Sequence, residues 1–71
     1  MKADDLLKIG FKDTSFTQGG EHFTEHTFDG AGFKIYVSGE DFVELVVNGD
    51  FIPFHNVYTV KQIEQLIKLL S

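Results

Sequence analysis

The stretch FVELVVNGDFIPF, Phe42 to Phe54, decides the fold. Two runs of β-branched and aromatic residues flank Asn48-Gly49, the strongest short signal for a type I′ hairpin with a two-residue loop. That loop sets Val47 opposite Asp50, Leu45 opposite Ile52 and Val43 opposite Phe54. The face made of Val43, Leu45, Val47, Ile52 and Phe54 is nearly all apolar and reads as the core side. On the other side Phe42 falls opposite His55 and Glu44 opposite Pro53. Pro53 has no backbone donor, which points to an edge strand or an outward-facing bond site.

Working back from the hairpin, Phe33 to Val37 alternates Phe, Ile and Val with Lys and Tyr. Phe33, Ile35 and Val37 join the same core face if the loop Gly39 to Asp41 has three residues. A slip of one residue would turn every side chain to the wrong face. Before it, Glu21 to Phe28 lies between the glycines of Gln18-Gly19-Gly20 and Asp29-Gly30-Ala31-Gly32 and reads as one more strand. Thr14 to Thr17 reads as a short strand feeding the Gly19-Gly20 turn.

Helices close both ends. Ala3 to Ile9 carries Asp4 and Asp5 in its first turn, complementing the positive end of the helix dipole. Gly10 suits the left-handed C′ position, which sets Phe11 at C″ to pack back on Leu6. Val60 to Leu70 follows Thr59 as N-cap, with Gln62 completing a capping box. Val60, Ile63, Leu66, Ile67 and Leu70 fall on one stripe. The expected fold is α+β over residues 1–71 as one small domain. A short N-terminal helix precedes an antiparallel meander of three to four strands, then comes a C-terminal amphipathic helix. Both helices pack on one face of the sheet.

The second sheet face then carries Lys34, Tyr36, Phe42, Glu44, Val46, Phe51 and His55. That is more apolar area than a solvated face needs. Tyr36, Phe42, Glu44, Val46, Phe51 and His55 form the candidate interaction face. The partner expected on it is a second copy or another protein.

Composition narrows the field. A chain of 71 residues without cysteine has no disulfides or thiolate metal sites to support a small core. The net charge is −5, and the six basic residues are all lysines, scattered singly. Without arginine's bidentate fork and with an acidic balance, neither nucleic acid nor an anionic membrane surface is an expected partner. Asp4 and Asp5 stand where a signal peptide needs an apolar run, and no apolar stretch approaches the ~18 residues of a span. The chain reads as soluble and cytoplasmic.

Chemistry is sparse. His22 and His26 have the HxxxH spacing that shares a metal on a helix. On a strand that spacing is roughly 13 Å, too far for joint chelation. Both histidines are expected on one sheet face, with His26 beside Tyr36 and Tyr36 beside Glu44. A cross-strand set of His26, Glu44 and His55 is the one arrangement that suggests a metal site or an acid–base enzyme. The plainer reading is that these are surface polar residues. No nucleophile elbow, phosphate loop, dinucleotide fingerprint or EF-hand series occurs. No catalytic residue, metal, cofactor or small-molecule substrate is expected.

DLLKIGF at the start and TVKQIEQLIKLL at the end, with a Phe-rich meander between, resemble small uncharacterised α-β-meander-α domains of bacteria and their phages. The resemblance covers the order of elements and carries no function over. The expected role is a non-catalytic protein-interaction domain that self-associates. The alternatives are an acidic phage-type inhibitor or nucleic-acid mimic, and the small enzyme built on His26, Glu44 and His55.

Overall fold

The computed structural model describes residues 1–39 and 41–71, so Glu40 of the expected three-residue loop lies outside the described residues. In chain order the elements are α1 (Ala3–Lys8), β1 (Lys12–Asp13), β2 (Phe16–Gln18), β3 (Glu21–Phe23), β4 (Glu25–Asp29), β5 (Lys34–Ser38), β6 (Phe42–Val47), β7 (Asp50–Phe54) and α2 (Val60–Leu70). The class is α+β, with an antiparallel five-stranded sheet in the order β1-β4-β5-β6-β7 and a separate pair β2-β3. The consecutive meander β4-β5-β6-β7 has four strands, as expected, and β1 adds a two-residue strand at its edge.

Local signals were met where neighbours in the chain decide the geometry. Asn48 and Gly49 both take positive φ, 53° and 81°. They close the type I′ turn, with Val47 against Asp50 and Val43 against Phe54. Ser38 pairs with Phe42, which leaves three residues between β5 and β6 as the parity argument requires.

The end of α1 is a full Schellman motif. Gly10 sits at φ 105°. The Phe11 N–H reaches the Leu6 carbonyl at 3.1 Å and the Gly10 N–H reaches that of Leu7 at 3.2 Å. At α2 the Gln62 N–H donates to Thr59 Oγ1 at 3.2 Å, and the Thr59 N–H returns a bond to Gln62 Oε1 at 3.1 Å.

One core joins these pieces. Leu6 of α1 and Ile63 of α2 pack with Phe11, Phe33, Ile35, Val37, Val43 and Leu45, all buried. Both helices thus contribute to the same side of the sheet. Ile52, expected in this core, is 44% exposed. It lies on β7, the sheet edge, where no further strand covers its flank.

Three departures have one physical root, the turn between β4 and β5. The expected turn was Gly30 to Gly32. Instead the Gly30 N–H bonds the Phe33 carbonyl at 2.9 Å, so Gly30 faces Phe33 in the register of the two strands and only Ala31 and Gly32 lie between them. The Phe33 ring packs directly over Gly30, where a Cβ would overlap it. The loop therefore differs by one residue in parity, so Asp29 pairs with Lys34 and His26 with Val37. A one-residue shift exchanges the two faces of β4. His26 is therefore on the core side, 4% exposed, and is not a surface residue. Thr27, not His26, stands beside Tyr36.

Glu21 to Phe28 is also not one strand. Lys12 pairs with Thr27, Asp13 with His26, Phe16 with Phe23 and Gln18 with Glu21. These pairs share one register, so the chain forms a single two-stranded ribbon interrupted at Ser15 and Thr24. There the Ser15 hydroxyl donates to the Glu25 carbonyl at 3.3 Å and accepts from the Glu25 N–H at 3.0 Å. The Thr24 carbonyl turns away to accept from the Gly39 N–H at 3.1 Å. Side-chain bonding of this kind competes with the ladder. His22 and His26 consequently lie in different sheets.

No helix among the described residues is long and apolar enough to cross a membrane.

Candidate functional site

The sheet face away from the helices is built in three rows by the register. Glu25, Ser38 and Phe42 make the first, Thr27, Tyr36, Glu44 and Pro53 the second, and Asp29, Lys34, Val46 and Phe51 the third. Five of the six residues expected on the interaction face, Tyr36, Phe42, Glu44, Val46 and Phe51, do share it. His55 lies just past the end of β7, where its carbonyl accepts the Tyr58 hydroxyl at 2.6 Å. The face is apolar at its two ends, with Phe42 47% and Phe51 62% exposed. Its β4 side is polar, with Glu25, Thr27 and Asp29. Thr14 Oγ1 lies 2.8 Å from both Glu25 Oε1 and Thr27 Oγ1, and Lys34 pairs with Asp29 at 3.5 Å.

The set His26, Glu44 and His55 is not assembled. His26 faces the core while Glu44 faces the other way, and His55 sits beyond the strand. Among the described residues, no three His, Asp or Glu side chains converge as metal ligands do. The histidines do bear on one carboxylate. Asp13 is held below its ordinary value, first by the Ser15 hydroxyl and then by the Ser15 N–H, with a smaller pull from His26 and His22.

A feature the sequence reasoning missed lies at one end of this face. β2 and β3 form a hairpin arm on which Phe16 and Phe23 stack at 5.2 Å between ring centroids. Both rings stay exposed, 44% and 41%. Between the arm and the first row of the sheet runs an open groove of about 460 Å³, lined by Phe16, Phe23, Glu25, Ser38 and Phe42 among others. The signal was present in the sequence, since Phe16 and Phe23 stand equally far from the Gly19-Gly20 turn.

The two edges of the sheet are both poor templates for pairing. β1 is two residues long. On β7 the residues bonded to β6 are Asp50, Ile52 and Phe54, because a two-residue loop is flanked by a hydrogen-bonded pair and the pattern alternates. Phe51 and Pro53 therefore direct their backbone outward, and Pro53 has no N–H to offer. Replacing Pro53 with valine is expected to restore that donor and to create species larger than a dimer, read by sedimentation velocity. The melting temperature should change little, because the outward position carries no ladder bond to β6.

Compared with protein-family models, curated proteins and solved structures, the chain matches none.

Proposed function

We propose that this chain is a small non-catalytic protein-interaction domain of the cytoplasm that self-associates through its open sheet face. The observation that carries this reading is the placement of Phe42 and Phe51, 47% and 62% exposed, on a face that no helix among the described residues covers. Surface area supports it. A compact monomer of 8.0 kDa exposes about 4,450 Å², and this chain exposes 4918 Å². Blunted edges direct association to the face rather than to strand pairing. A nucleic-acid mimic is the less favoured alternative, because lysines stand beside four of the eleven acids. Lys2 and Lys8 flank Asp4 and Asp5, Lys61 and Lys68 flank Glu64, and Lys34 bridges Asp29.

Sedimentation equilibrium over a wide concentration range tests the proposal. A dimer is expected, and Phe51→Ser should weaken it about tenfold or more, the effect of losing a large exposed apolar anchor. A strict monomer at the highest concentration reached would remove the reading.

A further inference from the structure

The hairpin turn at Asn48-Gly49 is chemically reactive as well as structural. We infer that Asn48 is a site of spontaneous deamidation, and that its isoaspartyl product loosens β7 from the sheet. The reaction needs only water and is independent of self-association.

The chemistry requires a side-chain amide followed by an unhindered main-chain nitrogen. Gly49 supplies that nitrogen. It has no side chain to shield it, and even a Cβ placed there would meet no atom of the described residues within 4 Å. A two-residue loop bonds its flanking residues to each other, here Val47 and Asp50, and leaves the Gly49 N–H outside the ladder. Asn48, Gly49 and Asp50 are all exposed. The Gly49 nitrogen attacks Cγ of Asn48, its proton passes to solvent, and the side-chain nitrogen leaves as ammonia. Water then opens the cyclic imide at either carbonyl. One opening gives an aspartyl residue. The other gives an isoaspartyl residue, whose main chain runs through the side-chain carbons. No oxidant or reductant takes part. The other asparagine, Asn56, is followed by Val57, whose branched Cβ crowds the attacking nitrogen.

The fold sets the rate. Asn48 sits at φ 53° and Gly49 at φ 81°. A type I′ turn holds ψ of its first central residue at about 30°, which points the Gly49 nitrogen away from the Asn48 side chain. The imide therefore closes only when the turn opens. Of the four long strands, β7 is the one built to allow this. β4, β5 and β6 each hold two buried residues, and β7 holds none. It lies at the sheet edge, bonded to β6 alone. Opening from the turn end disturbs little of the core and is a local event.

The two products act differently. Asp-Gly is itself a preferred type I′ pair, so the aspartyl form keeps the hairpin. The isoaspartyl form adds a main-chain atom inside a two-residue loop. Val47 and Asp50 then lose their register, and the pairs Val46 with Phe51 and Leu45 with Ile52 loosen from the turn outward.

The full chain is aged at mildly alkaline pH, folded and in urea, then mapped by peptide mass spectrometry with isoaspartyl methyltransferase labelling. Conversion at Asn48 is expected in both samples, about tenfold or more slower in the folded chain. Asn56 should stay intact. In the purified isoaspartyl form, hydrogen exchange at the Ile52 amide should quicken about tenfold or more, while the β4 and β5 amides keep their protection. Asn48→Asp represents the other product and should exchange as the unaged chain does. An Asn48 that stays intact in the folded chain overturns the site. An isoaspartyl form with unchanged exchange at Ile52 overturns the loosening of β7.

Discussion

Phe11→Ala is expected to destabilise the protein by about 3–5 kcal/mol, a large share of its total stability. Phe11 is 3% exposed and joins three parts of the molecule. Its N–H closes the end of α1 on the Leu6 carbonyl. Its ring lies 5.5 Å from Phe28, and Phe28 in turn stacks on Phe33 at 6.1 Å. Truncation removes the transfer energy of a phenyl ring and leaves a cavity between α1 and the β4–β5 turn. A chain of 71 residues has a total stability of about 4–10 kcal/mol, so the loss takes a third of it or more. Urea denaturation followed by circular dichroism measures the effect. Phe11→Leu, which keeps most of the volume, should lose markedly less. Equal losses in both variants would mean that the ring is not the connecting element.

Gly30→Ala is expected to cost about 1–3 kcal/mol by overpacking, a large effect for one methyl group. The new Cβ would overlap Cζ, Cε1 and Cε2 of Phe33. The ring has nowhere simple to go, since it is buried and backed by Phe28. Making room at Phe33 should relieve the strain. The double variant Gly30→Ala/Phe33→Leu is expected to be more stable than the sum of the two single losses, a coupling that thermal or urea melts read directly. Additivity would sink the account of the turn given above. The same contact sets the register of β4, so Gly30→Ala should also disturb the amide signals of His26 and Val37 more than those of β7.

The open sheet face was legible in the sequence where pairing could be counted from a turn. Asn48-Gly49 fixes β7 on β6, and a three-residue loop fixes β6 on β5, so Tyr36, Phe42, Glu44, Val46 and Phe51 were placed together by parity. The groove was not legible. It depends on the arm leaving the sheet at Ser15 and Thr24, where side-chain hydrogen bonds replace ladder bonds. Nothing in the alternation of Glu21 to Phe28 marks that break. Exposure of Ile52 was hidden for a related reason. Periodicity tells which face a side chain takes, but not whether a neighbour stands beside its strand.

By itself the sequence determined the elements whose geometry is set within a few residues. These are the Schellman end at Gly10 and Phe11, the turn at Asn48-Gly49, the capping box of Thr59 and Gln62, and the apolar stripe of α2. Their signals are local hydrogen bonds and steric preferences, which do not need the rest of the chain. Only the tertiary structure decided which way β4 faces. That choice turns on the parity of the β4–β5 loop, where the Phe33 ring is buried against Gly30, Phe28 and the core. Burial is a property of all the elements that meet there, so His26 could be recognised as an interior residue only once they had been brought together.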